Sequence, residues 1–230
     1  MLSPDLTSYA SQIASTAAGE TRKPHYWLMR LAWCSIMVLA IHYVWRNAGR
    51  YLDLRPETYG YFWTKRAWLW LHLAGGATAV LLGPLQFVRR LRSAFPRAHR
   101  WTGRFYLAGV LCASVGAIAM VATTPLGWTT AYAFAVMIAA WLATALMALM
   151  AILKGHVEVH RDWMRRNYLI TFAFVVFRLA GKIPGLYDIG TVPEVFTTFG
   201  WMSWVVPLLL SELWISIRQV LAIPPASSSP

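Results

Sequence analysis

Long apolar segments alternate with short polar ones along most of this chain. Six of them are candidate membrane spans, since a helix needs roughly 20 apolar residues to cross a bilayer. The fifth is the shortest and carries Arg178 near its far end. Because backbone amides in hydrocarbon must be satisfied within the segment, the pattern predicts an all-α polytopic membrane helix bundle with about six transmembrane helices. The spans lie at about residues 27–44, 67–88, 101–122, 131–153, 166–180 and 196–221.

The polar stretches between the spans are short, so the sequence predicts no separate soluble domain. Residues 1–26 are expected to form a cytoplasmic N-terminal arm, residues 27–221 the transmembrane domain, and residues 222–230 a disordered cytoplasmic tail rich in Pro and Ser. Pro125 and Gly127 stop one helix and turn the chain, which predicts a tight hairpin between the third and fourth spans.

Composition agrees with a bilayer as the solvent of this chain. Hydrophobic residues make up 58% of the sequence and charged residues 13%, and 13 residues are Trp. A single soluble core of this length cannot bury so much apolar surface. The net charge of +12 could indicate nucleic-acid binding, but the basic residues flank the spans and no nucleic-acid-binding module is visible. The sequence therefore predicts anionic membrane lipid headgroups as partners and excludes nucleic acid.

The distribution of positive charge predicts the orientation of the bundle. If the N-terminus is cytoplasmic, most of the 21 Lys and Arg residues fall in cytoplasmic segments, as the positive-inside rule requires. The main exception is the first external loop, between about residues 46 and 66. We therefore predict that both termini are cytoplasmic.

Two spans begin with similar basic, aromatic and histidine-bearing sequences. The first foot, residues 99–104, reads His-Arg-Trp-Thr-Gly-Arg, and the second foot, residues 160–166, reads His-Arg-Asp-Trp-Met-Arg-Arg. Imidazole binds heme iron and other metals and carries protons, while Trp and Arg suit the headgroup boundary. His99 and His160 are therefore the first candidates for a functional site, at the cytoplasmic ends of the third and fifth spans.

The histidines also form two pairs of similar depth. His42 and His72 share a height in the first and second spans, and His99 and His160 share the inner boundary. A two-heme cytochrome needs facing imidazoles at equal height, so each pair is a candidate heme b ligand set. The alternative is that each histidine bonds to a neighbouring helix or lies at the wet interface. In the heme or quinone interpretation, the propionates or the quinone headgroup would be held by Arg100, Arg104 and Arg166.

A metal site is a competing interpretation of the same end. If a helix begins after Gly155, then His156 and His160 lie on one face and could bind zinc together with His99. Glu158 is offset from both histidines on the helix and is poorly placed as their general base. The spacing is similar to that of membrane hydrolases with a three-histidine zinc, and a solvated helix foot explains it equally well.

Two charges fall within spans, where an unpaired charge is costly. Arg178 lies near the outer end of the fifth span and Glu212 toward the inner end of the sixth, so no direct pair between them is expected. Arg178 could face a headgroup or a propionate, or snorkel to the outer interface.

Several motifs follow one another between residues 68 and 178, among them His72 with Gly75 and Gly76, residues 82–87, His99-Arg100-Trp101 and His160-Arg161. This ordered combination resembles the membrane protein family called domain of unknown function 2306. The resemblance implies a multi-pass protein of the bacterial inner membrane and implies no activity. His42 and His156 lie outside the family pattern. The positions that match it are His72, Gly75, Gly76, residues 82–87, Arg92, Pro96, residues 99–101, Gly103, Arg104, His160, Arg161, Trp163, Met164 and Arg166.

Three functions remain open from the sequence. The first is electron transfer linked to heme b or quinone through His99 and His160, with a redox partner that the sequence does not name. The second is a non-catalytic transporter or lipid-binding protein without a cofactor, in which His72 and Gln86 line a polar cavity. The third is a metal-dependent membrane hydrolase with the three-histidine site.

Overall fold

The computed structural model describes residues 24–221, and within this range the chain forms six long helices and no strand. The predicted tail and most of the predicted N-terminal arm lie outside the described residues. The long helices are α1 (Pro24–Ala48), α2 (Arg66–Phe87), α3 (Pro96–Val121), α4 (Trp128–Leu153), α5 (Val157–Ala180) and α6 (Val192–Leu221).

Consecutive helices run in opposite directions. Gly116 of α3 packs beside His72 of α2, and Asn167 of α5 bonds to Trp141 of α4. His99 and His160 therefore lie at one end of the bundle, here called the foot end. The other end, where α1, α3 and α5 finish, is called the cavity end.

Four helical segments in the described part of the chain are long and apolar enough to cross a membrane. α1 and α5 are not among them, and α5 begins with the charged second foot. The protein is thus a helical, multi-pass membrane bundle, while the crossing of α1 and α5 and the total of six spans stay predictions. The four segments are Pro56–Phe87, Pro96–Val121, Trp128–Leu153 and Val192–Leu221.

Two local predictions have different outcomes. The hairpin is confirmed, because α3 ends at Val121, α4 begins at Trp128, and Gly127 between them has φ of 88°. The start of the fifth helix was predicted too late, at about Arg166, because the apolar pattern begins there. The helix begins at Val157, since the charged second foot is itself helical. The backbone amide of His160 already donates to the carbonyl oxygen of His156, four residues earlier.

α2 and α3 pack closely because glycines lie where their backbones meet. A Cβ atom added at Gly75 would lie 2.5 Å from the backbone nitrogen of Ala113, and one added at Gly109 would lie 2.8 Å from the Gly75 carbonyl oxygen. Small residues permit this approach of two backbones, which is a common basis of helix association in membranes. This close contact fixes the position of α2 relative to α3, and with it the positions of the side chains that both helices present at each end of the bundle.

The centre of the bundle contains a fully buried polar network that joins α3, α4 and α5. Tyr106 donates to Asn167 Oδ1 at 2.6 Å and lies 2.8 Å from the Thr171 hydroxyl, which accepts from Trp141 Nε1 at 2.8 Å. Asn167 Nδ2 donates to the Trp141 carbonyl at 2.7 Å and to Thr144 Oγ1 at 2.8 Å. Each polar side chain of this network thus has a hydrogen-bond partner on another helix, and the network fixes the rotation of the three helices.

Candidate functional site

A large cavity lies at the cavity end of the bundle. Its volume is about 440 Å³, within the roughly 300–1,000 Å³ typical of small-molecule sites. Side chains from all six long helices line it, and its walls are mainly apolar and aromatic. Its aromatic lining residues are Tyr43, Tyr51, Tyr61, Phe62, Phe134, Trp141, Phe174, Phe177 and Phe196.

His72 supplies a defined polar group to this lining. Its Nδ1 lies 3.0 Å from the Ala113 carbonyl oxygen, and Phe174 packs edge-on at 5.5 Å between ring centroids. A carbonyl oxygen can only accept, so in neutral His72 the proton is on Nδ1 and Nε2 is a hydrogen-bond acceptor. The close α2–α3 contact holds the ring in this orientation.

Arg178 and Tyr43 supply donors to the same cavity. Both residues line it, and the Arg178 guanidinium interacts with the Tyr43 hydroxyl. Arg178 also lies close enough to His72 for electrostatic interaction. The arginine that sequence reasoning placed at a lipid surface or a propionate is therefore part of the cavity wall, although its side chain stays exposed.

The segment between α1 and α2 covers this end of the bundle. Tyr59 donates to the Tyr51 carbonyl at 2.6 Å and accepts from Trp70 Nε1 at 2.7 Å. Tyr61 and Lys65 both donate to the carbonyl oxygen of Thr123, in the turn between α3 and α4. The cavity is thus bounded by a segment that is tied down at both sides.

At the foot end, His99 and His160 lie on neighbouring helix starts, close enough for their rings to interact electrostatically. His160 Nδ1 lies 2.8 Å from the Ala148 carbonyl oxygen, so in the neutral ring Nε2 is the unprotonated nitrogen. His99 Nδ1 is buried without a hydrogen-bond partner in the described part of the chain.

The other residues predicted for this end are divided among different contacts. Arg104 stacks on the Trp101 ring at 4.8 Å, and Arg100 is exposed close to His99. Arg166 forms a two-point ion pair with Glu212, at 2.9 and 2.7 Å, and lies over Trp163. α6 thus brings a carboxylate to Arg166, and the assignment of this arginine to a propionate or quinone stays a prediction. As expected, Glu212 does not pair with Arg178.

The proposed three-histidine metal site is not preassembled. Among the residues whose side chains the structure describes, no group of three or more His, Cys, Asp or Glu is arranged to hold a metal ion. His156 is exposed just before α5, and Glu158 pairs with Arg161. Zinc binding by His99, His156 and His160 would therefore need a rearrangement of this foot.

Two further predicted pairs are separated. His42 is exposed and does not line the cavity that His72 lines, so the upper heme pair is not brought together. Gln86 does not share a cavity with His72 either. It lies buried at the foot end, where its Nε2 donates to Thr102 Oγ1 at 2.9 Å and Gly103 leaves room for its amide.

Sequence reasoning missed Tyr43 as a site residue and missed the buried network around Asn167. Tyr43 is one aromatic residue among many in the apolar α1. The signal that could have found the site is Arg178 itself, because a cation within an apolar segment, even near its end, is favoured by a polar partner on a neighbouring helix.

Comparison with known proteins places the chain in a family. Residues 69–215 match the family described as "Predicted membrane protein (DUF2306)", which covers nearly all of α2, all of α3–α5 and most of α6. No curated protein and no solved structure matches. His72, Arg178, His99, His160 and the Arg166–Glu212 pair all fall within the matched region. The resemblance carried by residues 68–178 is thereby confirmed and extended: the chain belongs to the DUF2306 family of membrane proteins.

Proposed function

We propose that this protein binds a quinone in the cavity and takes part in electron transfer in the bacterial inner membrane. The observation that carries the proposal is the chemistry of the cavity lining. An acceptor nitrogen on His72 and donors on Arg178 and Tyr43 lie in one apolar, aromatic chamber.

A quinone fits this lining better than a purely apolar ligand does. Its carbonyl oxygens can accept hydrogen bonds from Arg178 and Tyr43. Its reduced form carries hydroxyl groups, which can donate to His72 Nε2. The flat ring suits walls such as Phe174 and Trp141. Buried polar groups of a site that stay unpaired are costly, so the cavity favours a ligand with oxygen atoms.

The proposal is tested by measuring the quinone that the protein retains. The purified protein is extracted with organic solvent, and ubiquinone and menaquinone are quantified by chromatography against the protein concentration. We expect near-stoichiometric quinone in the unaltered protein and its loss in His72→Leu. The matched control is His42→Leu, which removes an exposed imidazole from the neighbouring helix and should retain the quinone.

A second variant guards against misfolding. Arg178→Gln leaves the His72 contact with α3 intact but removes the cavity cation, and it should also lose quinone. Added decylubiquinone should raise the thermal unfolding temperature of the unaltered protein and not that of the variants. Extraction of phospholipid in place of quinone, with no stabilisation by decylubiquinone, would contradict the proposal and favour the lipid-binding alternative.

Heme b at the foot end is a second candidate, favoured by the juxtaposition of His99 and His160. A histidine that binds iron commonly donates its other ring nitrogen to a backbone carbonyl, as His160 does to Ala148. Arg92 and Arg100 lie close enough to His99 to interact electrostatically with the negatively charged propionates of a heme bound there.

An absorption spectrum tests the heme candidate. The reduced protein should show the sharp α-band of a six-coordinate b-type cytochrome, and His99→Ala or His160→Ala should abolish it. His156→Ala should leave the band unchanged, whereas loss of stoichiometric zinc in that variant would support the metal site. A colourless, metal-free protein prepared with ample heme supply would contradict both.

A further inference from the structure

The first foot and the short helix before it carry an unusual excess of positive charge. Residues 89–104 contain no Asp or Glu, and none of their arginines forms an ion pair with a carboxylate in residues 24–221. Mutual repulsion of so many like charges disfavours the compact state unless an anion neutralises them. The arginines are Arg89, Arg90, Arg92, Arg97, Arg100 and Arg104.

The second foot is different, although it lies at the same end of the bundle. Arg161 pairs with Glu158, and Arg165 pairs with Asp162 at 3.1 Å. Arg166 is neutralised by Glu212 on α6. The unbalanced positive charge of the foot end is therefore concentrated at the first foot.

Within this region, two arginines interact electrostatically with His99. Arg92 does so from the short helix Arg89–Ala94 and Arg100 from α3, and the ring of His160 on α5 is also within electrostatic range. His99 Nδ1 is buried and has no hydrogen-bond partner in the described residues. An unpartnered ring nitrogen, with two guanidinium groups acting on the same ring, is suited to an oxyanion, which would neutralise both cations and accept a hydrogen bond from the nitrogen once the ring turns toward it.

We propose that the phosphate of an anionic phospholipid headgroup binds among Arg92, His99 and Arg100. The neighbouring side chains indicate a lipid as its source, because Phe95, Trp101 and Phe105 are 59%, 57% and 55% exposed. Exposed aromatic rings beside arginines are typical of the headgroup layer of a membrane. The site is independent of the quinone cavity, which lies at the opposite end of the bundle.

The experiment compares two variants with the same change of charge. Native mass spectrometry counts phosphatidylglycerol bound to detergent-purified protein, with phosphatidylcholine as the zwitterionic reference, whose choline group balances the charge of its phosphate. Arg92→Gln combined with Arg100→Gln should weaken phosphatidylglycerol binding by about tenfold or more, because two charge-assisted contacts are lost. Arg89→Gln combined with Arg90→Gln removes two exposed cations from the same short helix and should weaken it by less than about threefold.

Further arms separate the alternatives. Equal loss of binding in the two double variants would overturn the proposal and indicate a diffuse electrostatic surface. Competition by millimolar inorganic phosphate would overturn the lipid as the source, and a heme band that disappears in His99→Ala would overturn the site itself. Thermal unfolding in phosphatidylcholine alone should be the same for both double variants. Arg92→Lys combined with Arg100→Lys should recover part of the binding, which a variant defective only in folding would not explain.

Discussion

At the scale of single residues, the sequence identified several polar side chains that make specific contacts in the structure, but it rarely identified the residues that they contact. The proximity of His99 to His160 follows from their matched positions at two helix starts. The partner of Arg166 could not be read in the same way, because it depends on how α6 rotates against α5. The role of Asn167 was hidden for a similar reason, since its three hydrogen bonds come from two other helices.

The buried network makes a prediction for Asn167. Asn167→Ala removes one buried hydrogen bond each from Tyr106, the Trp141 carbonyl and Thr144, so we expect the free energy of unfolding to fall by about 2 kcal/mol or more. Ser203→Ala is the control, because the Ser203 hydroxyl is buried but bonds only within its own helix, to Gly200. It should cost less than about 0.5 kcal/mol. Denaturant titration in detergent measures both, and equal stability of the two variants would refute the structural role of the network.

At the scale of elements, apolar pattern and turn residues located all six long helices, because length and hydropathy are local properties of the chain. The start of α5 was the exception, since a charged, helical foot has no apolar signal. Helix faces were harder to predict. The contact face of α3 depends on how α2 and α3 rotate against each other, which brings Gly75 and Gly109 opposite one another.

The α2–α3 contact predicts contrasting effects at two adjacent glycines. Gly75→Ala places a Cβ atom 2.5 Å from the Ala113 backbone nitrogen, so the helices must separate. We expect a loss of about 1–3 kcal/mol in the free energy of unfolding. At Gly76 nothing lies within 4 Å, and Gly76→Ala should be neutral or stabilise α2 by up to about 1 kcal/mol. Thermal unfolding of the two variants side by side checks this, and similar melting curves would contradict the contact.

At the scale of the whole molecule, composition and segment length were sufficient to predict a multi-pass helical bundle. They could not predict the cavity, because it arises from gaps between six helices whose rotations are set by contacts such as that between Gly75 and Ala113. Charge distribution predicts the orientation independently of the fold, with the foot end expected on the cytoplasmic side.

The orientation is tested by cysteine labelling of intact cells, in a background that lacks Cys34 and Cys112. A membrane-impermeant maleimide should leave Ser93→Cys unmodified and should label Glu57→Cys, since both positions are exposed but lie at opposite ends of the bundle. Labelling at position 93 and protection at position 57 would reverse the orientation, and permeabilised cells confirm that both positions can react.

α5 is predicted to cross the membrane, although Arg178 within it raises the free-energy cost of insertion. A cation at the centre of a membrane helix costs about 2.5–3.5 kcal/mol on insertion scales. In this bundle the cost is reduced, because Arg178 lies in the last turn of α5 and contacts Tyr43 at the cavity. The antiparallel contacts of α5 with α4 and α6 require it to run from the foot end to the cavity end. Val157→Cys should therefore be protected in intact cells and Ile189→Cys labelled, whereas the same response at both positions would show that α5 does not cross.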